Sequence, residues 1–213
     1  LFQSQEDVDK SPKLYSSVKP GDVKYKDISG PDGVPDGKIS PDYDRVLLGG
    51  SLPRYLYSTM INMEYKGVDL SVVFQGIGKQ TSRLTPEMVK PFHSAWTNAP
   101  AIIDGNYWSH YNTPEQNLAA RYPRLSYTAA ENNNYVNSDF WLINGAYLRL
   151  KNITLGYTLP QAVVNKMRLT NVRLYASATD LFSVHKFPKG WDPESSHSTY
   201  ISSQFNFGIS VKF

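Results

Sequence analysis

The chain has 213 residues, 40% hydrophobic and 19% charged, with a formal net charge of +3 and no cysteine. The lack of cysteine excludes disulfide scaffolds, zinc–thiolate and iron–sulfur centres and thiol nucleophiles. So small and scattered a charge excludes an extended nucleic-acid groove. No run approaches the roughly 18 apolar residues of a membrane-spanning helix, a test that β-barrels escape because their strands are short and alternate in polarity. Tyrosines outnumber phenylalanines 15 to 9, so the aromatic content suits boundaries between apolar and wet surroundings.

The opening stretch Leu1–Lys10 has neither an initiator Met nor the apolar core of a signal peptide, and reads as starting partway through a longer protein. The segment 27–44 follows, crowded with oxygen-bearing side chains between glycines. Asp27, Ser29, Asp32, Asp36, Ser40 and Asp44 are its candidate cation ligands. A hard cation such as calcium takes six to eight oxygens around a glycine-hinged loop, and Asp36-Gly37-Lys38-Ile39 matches the middle of one. The spacing fits imperfectly: counted from Gly37, the third slot falls on Val34 and the last on Tyr43. A solvated Asp/Gly/Pro turn is the alternative.

From Tyr55 onward the period is two. Tyr55, Tyr57, Thr59, Ile61, Met63 and Tyr65 share one parity, and after Lys66-Gly67 the phase resumes with Val68, Leu70, Val72 and Phe74. This predicts a hairpin of two strands of about ten residues, the length a tilted strand needs to cross a bilayer. The stretch 79–145 reads as one long loop. Within it Trp96, Tyr107, Trp108 and Tyr111 are candidate contacts to a substrate or partner, and a small core of the loop's own is the competing use.

Ala146–Leu159 is a further strand whose phase slips: Leu148 and Leu150 lie on one parity, Ile153, Leu155 and Tyr157 on the other. A β-bulge near Lys151-Asn152 absorbs the extra residue. Pro160 ends the strand, Gln161–Met167 suits one helical turn, and Val172, Leu174, Ala176 and Ala178 begin the next strand. The final strand spans 204–213, with Phe205, Phe207, Ile209, Val211 and Phe213 on one face. Short connections after Tyr65 and Leu159 alternate with long ones after Gly78 and Phe182, as in a barrel with turns on one side of a membrane and loops on the other. The fold class is therefore all-β: an antiparallel transmembrane barrel segment of about five strands. Five strands cannot close, so neighbours must come from elsewhere.

No GxSxG, GxxxxGK[ST] or GxGxxG signature occurs, and His93, His110, His185 and His197 lack metal-ligand spacing. A non-enzyme is expected. A secreted or surface all-β glycan-binding module without transport is the main rival.

PGDVKYKDISGPDGVPDGKISPDYDRVLLGG at 20–50, MEYKGVDLSVVFQGIGK at 63–79, NSDFWLINGAYLRLKNITLGYTLP at 137–160, VRLYASATDLF at 172–182 and the final FNFGISVKF resemble the C-terminal barrel of TonB-dependent outer-membrane receptors of the SusC/RagA type. The resemblance implies that residues 1–213 are wall from a roughly 22-stranded barrel plugged by a separate domain. It implies import of oligosaccharides or peptides across the outer membrane of Bacteroidetes-like Gram-negative bacteria. It also implies a SusD-like lipoprotein lid, TonB acting through the missing N-terminal part, and contact with outer-membrane lipid. Phe213 resembles the signal by which barrel-assembly machinery recognises its clients.

Overall fold

The structure is a computed structural model that describes residues 1–94, 97–127, 133–194 and 201–213. It divides into two compact units: Leu1–Gly49 with Arg83–Leu142, and Gly50–Ser82 with Ile143–Phe213.

The second unit is a five-stranded antiparallel sheet. Strand β1 (Tyr55–Tyr65) turns through Lys66-Gly67 into β2 (Val68–Gly78). Both turn residues have positive φ, 49° and 83°, the two-residue hairpin geometry whose twist matches that of the flanking strands. Two short strands, β3 (Thr81–Arg83) and β4 (Leu142–Asn144), make a separate two-stranded sheet. The main sheet continues with β5 (Tyr147–Thr158), β6 (Asn171–His185) and β7 (Gln204–Lys212), in the order β1-β2-β5-β6-β7. Each strand of this sheet thus pairs with the next one along the chain, as in an up-and-down wall. The five strands, the hairpin and the bulge expected from the sequence are all present.

The first unit corrects the expected loop. Residues 79–145 are not a bare excursion: most of them fold with the first 49 residues around a shared interior. Helix α1 (Gln5–Lys10) is started by Ser4, whose Oγ accepts the Asp7 N–H at 3.1 Å. Helix α2 (Pro86–Val89) carries Pro at its first position. Helix α3 (Pro114–Ala119) opens on a reciprocal capping box between Thr113 and Gln116. Phe2, Val8, Val23, Met88, Ile103 and Trp141 are buried in this unit.

A buried polar hub accompanies that core. Asp22 Oδ1 accepts from Arg124 Nε at 2.7 Å and from Asn134 Nδ2 at 2.9 Å. Asn134 Oδ1 in turn accepts the Val23 N–H at 2.8 Å, and Asn134 O accepts Trp141 Nε1–H at 2.8 Å. Every polar atom named here has a partner, which is the condition for burying such groups without loss. Helix α4 (Gln161–Lys166) follows Pro160 in the sheet unit and packs on β6, where the sequence predicts one helical turn.

Candidate functional site

The sheet has two chemically opposite faces, and the register shows how completely they separate. On one face the aligned rows read Ile61–Val72–Ile153–Ala178–Phe205, then Met63–Leu70–Leu155–Ala176–Phe207, then Tyr65–Val68–Tyr157–Leu174–Ile209. Most of these side chains are exposed, Phe207 at 83% and Ile209 at 62%. A soluble protein does not leave a continuous apolar sheet face open to water. The other face reads Asn62–Ser71–Thr154–Ser177–Asn206 and Glu64–Asp69–Gly156–Tyr175–Gly208. Leu56 and Met60 on β1 and their partners Ile77 and Val73 on β2 depart from that polarity, the two β1 residues being exposed. From Tyr57 to Tyr65 is about 27 Å of strand at ~3.4 Å per residue, or about 21 Å after a tilt of ~40°, close to the apolar band of an outer-membrane barrel.

A bulge keeps the two faces in phase. Between the pairs Val73↔Asn152 and Phe74↔Leu150, β5 carries the extra residue Lys151. Across the next ladder, Asp180 and Leu181 of β6 lie between the partners of Leu150 and Asn152. Asp180 adopts φ 51°, a left-handed conformation that Asp tolerates better than most residues. Above the bulge the apolar row is Thr59–Phe74–Leu150–Phe182 and the polar row is Ser58–Gln75–Arg149–Ser183. Without the extra residue, every side chain above it on β5 would change face.

Charges cluster on the polar face at this bulge. Arg149, with 3% of its side chain exposed, meets Asp192 Oδ2 at 2.5 Å, Glu194 Oε1 at 3.3 Å and Asp180 Oδ1 at 3.6 Å. Lys151 Nζ meets Asp180 at 2.9 Å and Glu194 at 3.1 Å. Asp192 and Glu194 come from the segment after β6, so the cluster ties that segment to the strands it leaves. Sequence reading found Lys151 as the point of the slip but none of its partners, because their proximity follows from register.

Glycines on the sheet mark places where another side chain crosses. Tyr57 lies over Gly76, where a Cβ would come within 2.5 Å of its ring, and the Tyr57 hydroxyl donates to Tyr147 O at 3.0 Å. On the polar face Tyr175 covers Gly208 in the same way. Aromatic cover of a neighbouring glycine restores packing that the glycine forfeits.

The 27–44 segment belongs to the other unit. Asp44 gathers it: Oδ1 accepts the Ile28 and Ser29 N–H groups at 2.8 and 3.2 Å, and Oδ2 accepts the Ser40 N–H at 2.7 Å. These backbone donors, Ser40 foremost, hold the Asp44 carboxyl below its usual range. Asp27 Oδ2 accepts the Gly37 N–H at 2.6 Å and Asp36 Oδ1 the Lys38 N–H at 2.9 Å. Asp32 and Asp36 are exposed. Among the described residues no three His, Asp or Glu side chains converge as a metal site requires. The Asp27, Asp36 and Asp44 carboxylates act here as acceptors for backbone N–H groups in turns. Asp27 Oδ1 is buried without a hydrogen-bond partner.

The aromatic candidates separate. Trp96 lies outside the described residues. Tyr107 is half-buried and bridges to Tyr122 through the backbone. Trp108 is 3% exposed and packs on Gly21, where a Cβ would come within 2.4 Å of its ring; its role is internal packing, which corrects the expectation that it meets a substrate or partner. Tyr111 is 99% exposed and is the one of the described three that is free to touch another molecule. Phe213, past the end of β7, is 95% exposed.

No protein-family model matches the chain. Curated proteins of Formosa agariphila do, among them TonB-dependent receptor P3, 28% identical over 203 residues, and TonB-dependent receptor P26, 30% identical over 200 residues. Over nearly all of its length the chain is thus similar to TonB-dependent receptors. The matches cover 94% and 92% of the chain but 18% of each relative, so it spans under a fifth of their length. In structure it resembles the RagAB peptide importer, with TM-scores of 0.64 for the closed-closed state and 0.62 for the open-open state. Those alignments are 20% and 21% identical and cover 89% and 87% of the chain, against 21% and 20% of the importer chain. At that identity the likeness establishes the fold: the chain forms an antiparallel wall segment like that of the RagA-type barrel. The relatives are receptors rather than enzymes.

Proposed function

We propose that this chain is barrel wall of an outer-membrane importer, with its apolar face against lipid and its polar face lining the passage. The observation that carries the reading is the unbroken apolar register across five strands, held in phase by the bulge at Lys151. Strands supplied by the rest of the receptor complete the cylinder and remove the free edges of β1 and β7. In this reading a plug domain lies inside, TonB supplies energy, and a SusD-like lipoprotein covers the outer mouth. The cargo is an oligosaccharide or a peptide; the fold shared with a peptide importer favours the peptide.

Tyr111 is the exposed aromatic available to cargo or lid, and Phe213 is the contact for assembly machinery. Calcium at the 27–44 loop is supported by its oxygen-rich composition and by the unpartnered Oδ1 of Asp27. Binding there requires Asp32 or Asp36 to turn inward.

The test is uptake by cells carrying or lacking the whole receptor gene. Labelled peptide or oligosaccharide enters only when the receptor is present and stops when the inner-membrane proton gradient is collapsed. Uptake unaffected by the deletion contradicts the importer. A chain that folds as a detergent-free monomer contradicts the wall itself.

A further inference from the structure

The short-turn end of the sheet carries a combination that the wall reading does not use. Helix α4 and its C-cap Met167 show apolar side chains to the outside, Val163 and Met167 being 45% and 53% exposed, while Val164 between them is 1% exposed and turned into the protein. Lys166 and Arg168, interleaved with these apolar residues, are exposed. At the neighbouring hairpin, Lys66 is exposed and its Nζ stands 5.1 Å from the ring centre of Tyr65, a member of the apolar face. Among the described residues none of these three cations forms an ion pair, whereas Asp69, the acid nearest the hairpin on β2, is already matched by Arg173 at 2.5 Å.

Apolar side chains beside unmatched cations, at the level where a strand leaves the membrane, fit the boundary between acyl chains and headgroups. Charge complementarity selects the occupant. We infer that Lys66, Lys166 and Arg168, with Val163 and Met167 dipping below them, form a docking surface for anionic phospholipid headgroups of the leaflet at the short-turn end. The inference rests on the lipid-facing wall proposed above. Lys and Arg hold the lipid phosphate, Arg168 by paired N–H donors, while the two apolar side chains fix the depth of α4.

The experiment uses the whole receptor in nanodiscs of phosphatidylcholine alone or with added phosphatidylglycerol. Phosphatidylglycerol raises the thermal midpoint of the parent. It raises that of the triple variant Lys66→Gln, Lys166→Gln, Arg168→Gln much less, although the two match in phosphatidylcholine alone. Lys212→Gln, on the polar face, retains the parent's response. Native mass spectrometry of the single variants gives a second readout, independent of any folding defect in the triple. Retained phosphatidylglycerol falls roughly fivefold for each cation removed, from about 1 kcal/mol per basic residue near an anionic surface. Equal responses of parent and triple variant, or unchanged retention in the single variants, overturn the inference. Failure of the receptor to enter nanodiscs of either composition overturns the wall reading on which it rests.

Discussion

Arg173 reaches from β6 across Gly156 of β5 to Asp69 of β2, donating from Nε to Oδ1 at 2.9 Å and from Nη2 to Oδ2 at 2.5 Å. The crossing exists because Gly156 has no side chain: a Cβ there would stand 2.3 Å from both Arg173 Nη2 and Asp69 Oδ1. Gly156→Val should therefore displace the pair and destabilise the wall by about 1–3 kcal/mol, the range for an inserted group that its neighbours must accommodate. Asp69→Asn should cost less, about 1 kcal/mol or below, because the pair is 31% exposed on each side and solvent screens it. Denaturant titration of the receptor checks both, and a larger loss for Asp69→Asn than for Gly156→Val contradicts the crossing.

Deleting Lys151 tests the bulge. The deletion moves Leu148 and Leu150 to the polar face and turns Arg149 toward lipid near the end of the apolar band, where an arginine costs up to about 1 kcal/mol. It also takes Arg149 away from three carboxylates. The expected result is loss of folded receptor from the membrane fraction for the deletion but not for Lys151→Ala. Equal levels of the two would mean that register is set elsewhere.

How much of this was legible in the sequence follows from the range of each signal. The alternation of β1, β2 and β7 is local, and so was the phase slip at Lys151. Its other half, Asp180 and Leu181 on β6, was not legible, since it becomes visible only when the strands are aligned. The first unit was the largest omission. Its hub joins Asp22 to Asn134 and Arg124, more than a hundred residues away, and neither periodicity nor a turn signal encodes such a pairing. Trp108 was misassigned because a tryptophan on a long loop looks the same in sequence whether it packs on Gly21 or meets a ligand. The acidic loop reads in sequence as a candidate cation site; that Asp44 organises it through the backbone N–H groups of Ile28, Ser29 and Ser40 becomes visible only in the fold.

Tyr25 gives an alkaline signature for the first unit. Its hydroxyl donates to Asn133 O at 2.5 Å, and burial pushes its pKa from 10.0 up to about 12. A raised folded-state pKa stabilises the folded form below pH 10, and the contribution is lost as pH rises toward 12. Unfolding of this unit should become easier across that window, and Tyr25→Phe should flatten the dependence at a cost of about 1 kcal/mol at neutral pH. Stability measured against pH for both forms checks it; identical slopes contradict it.

Asp44 gives the acid counterpart. Its lowered folded-state pKa means that the loop is held above pH 3.8 and released as pH falls below that value. Limited proteolysis should show cleavage within 27–44 rising in acid, and Asp44→Ala should bring the same cleavage at neutral pH. Added calcium should protect the parent if the proposed ion binds. Protection absent in the parent removes calcium from the account but leaves the role of Asp44 intact.

The most direct test exploits the absence of cysteine from the chain. Single cysteines placed in turn from Phe205 to Val211 in the receptor, each carrying a nitroxide label, report access to oxygen dissolved in lipid and to a water-soluble nickel relaxant. Labels at 205, 207, 209 and 211 should favour oxygen and those at 206, 208 and 210 nickel, a period of two along β7. Uniform access, or nickel favoured at all seven positions, would contradict a wall with lipid on one side.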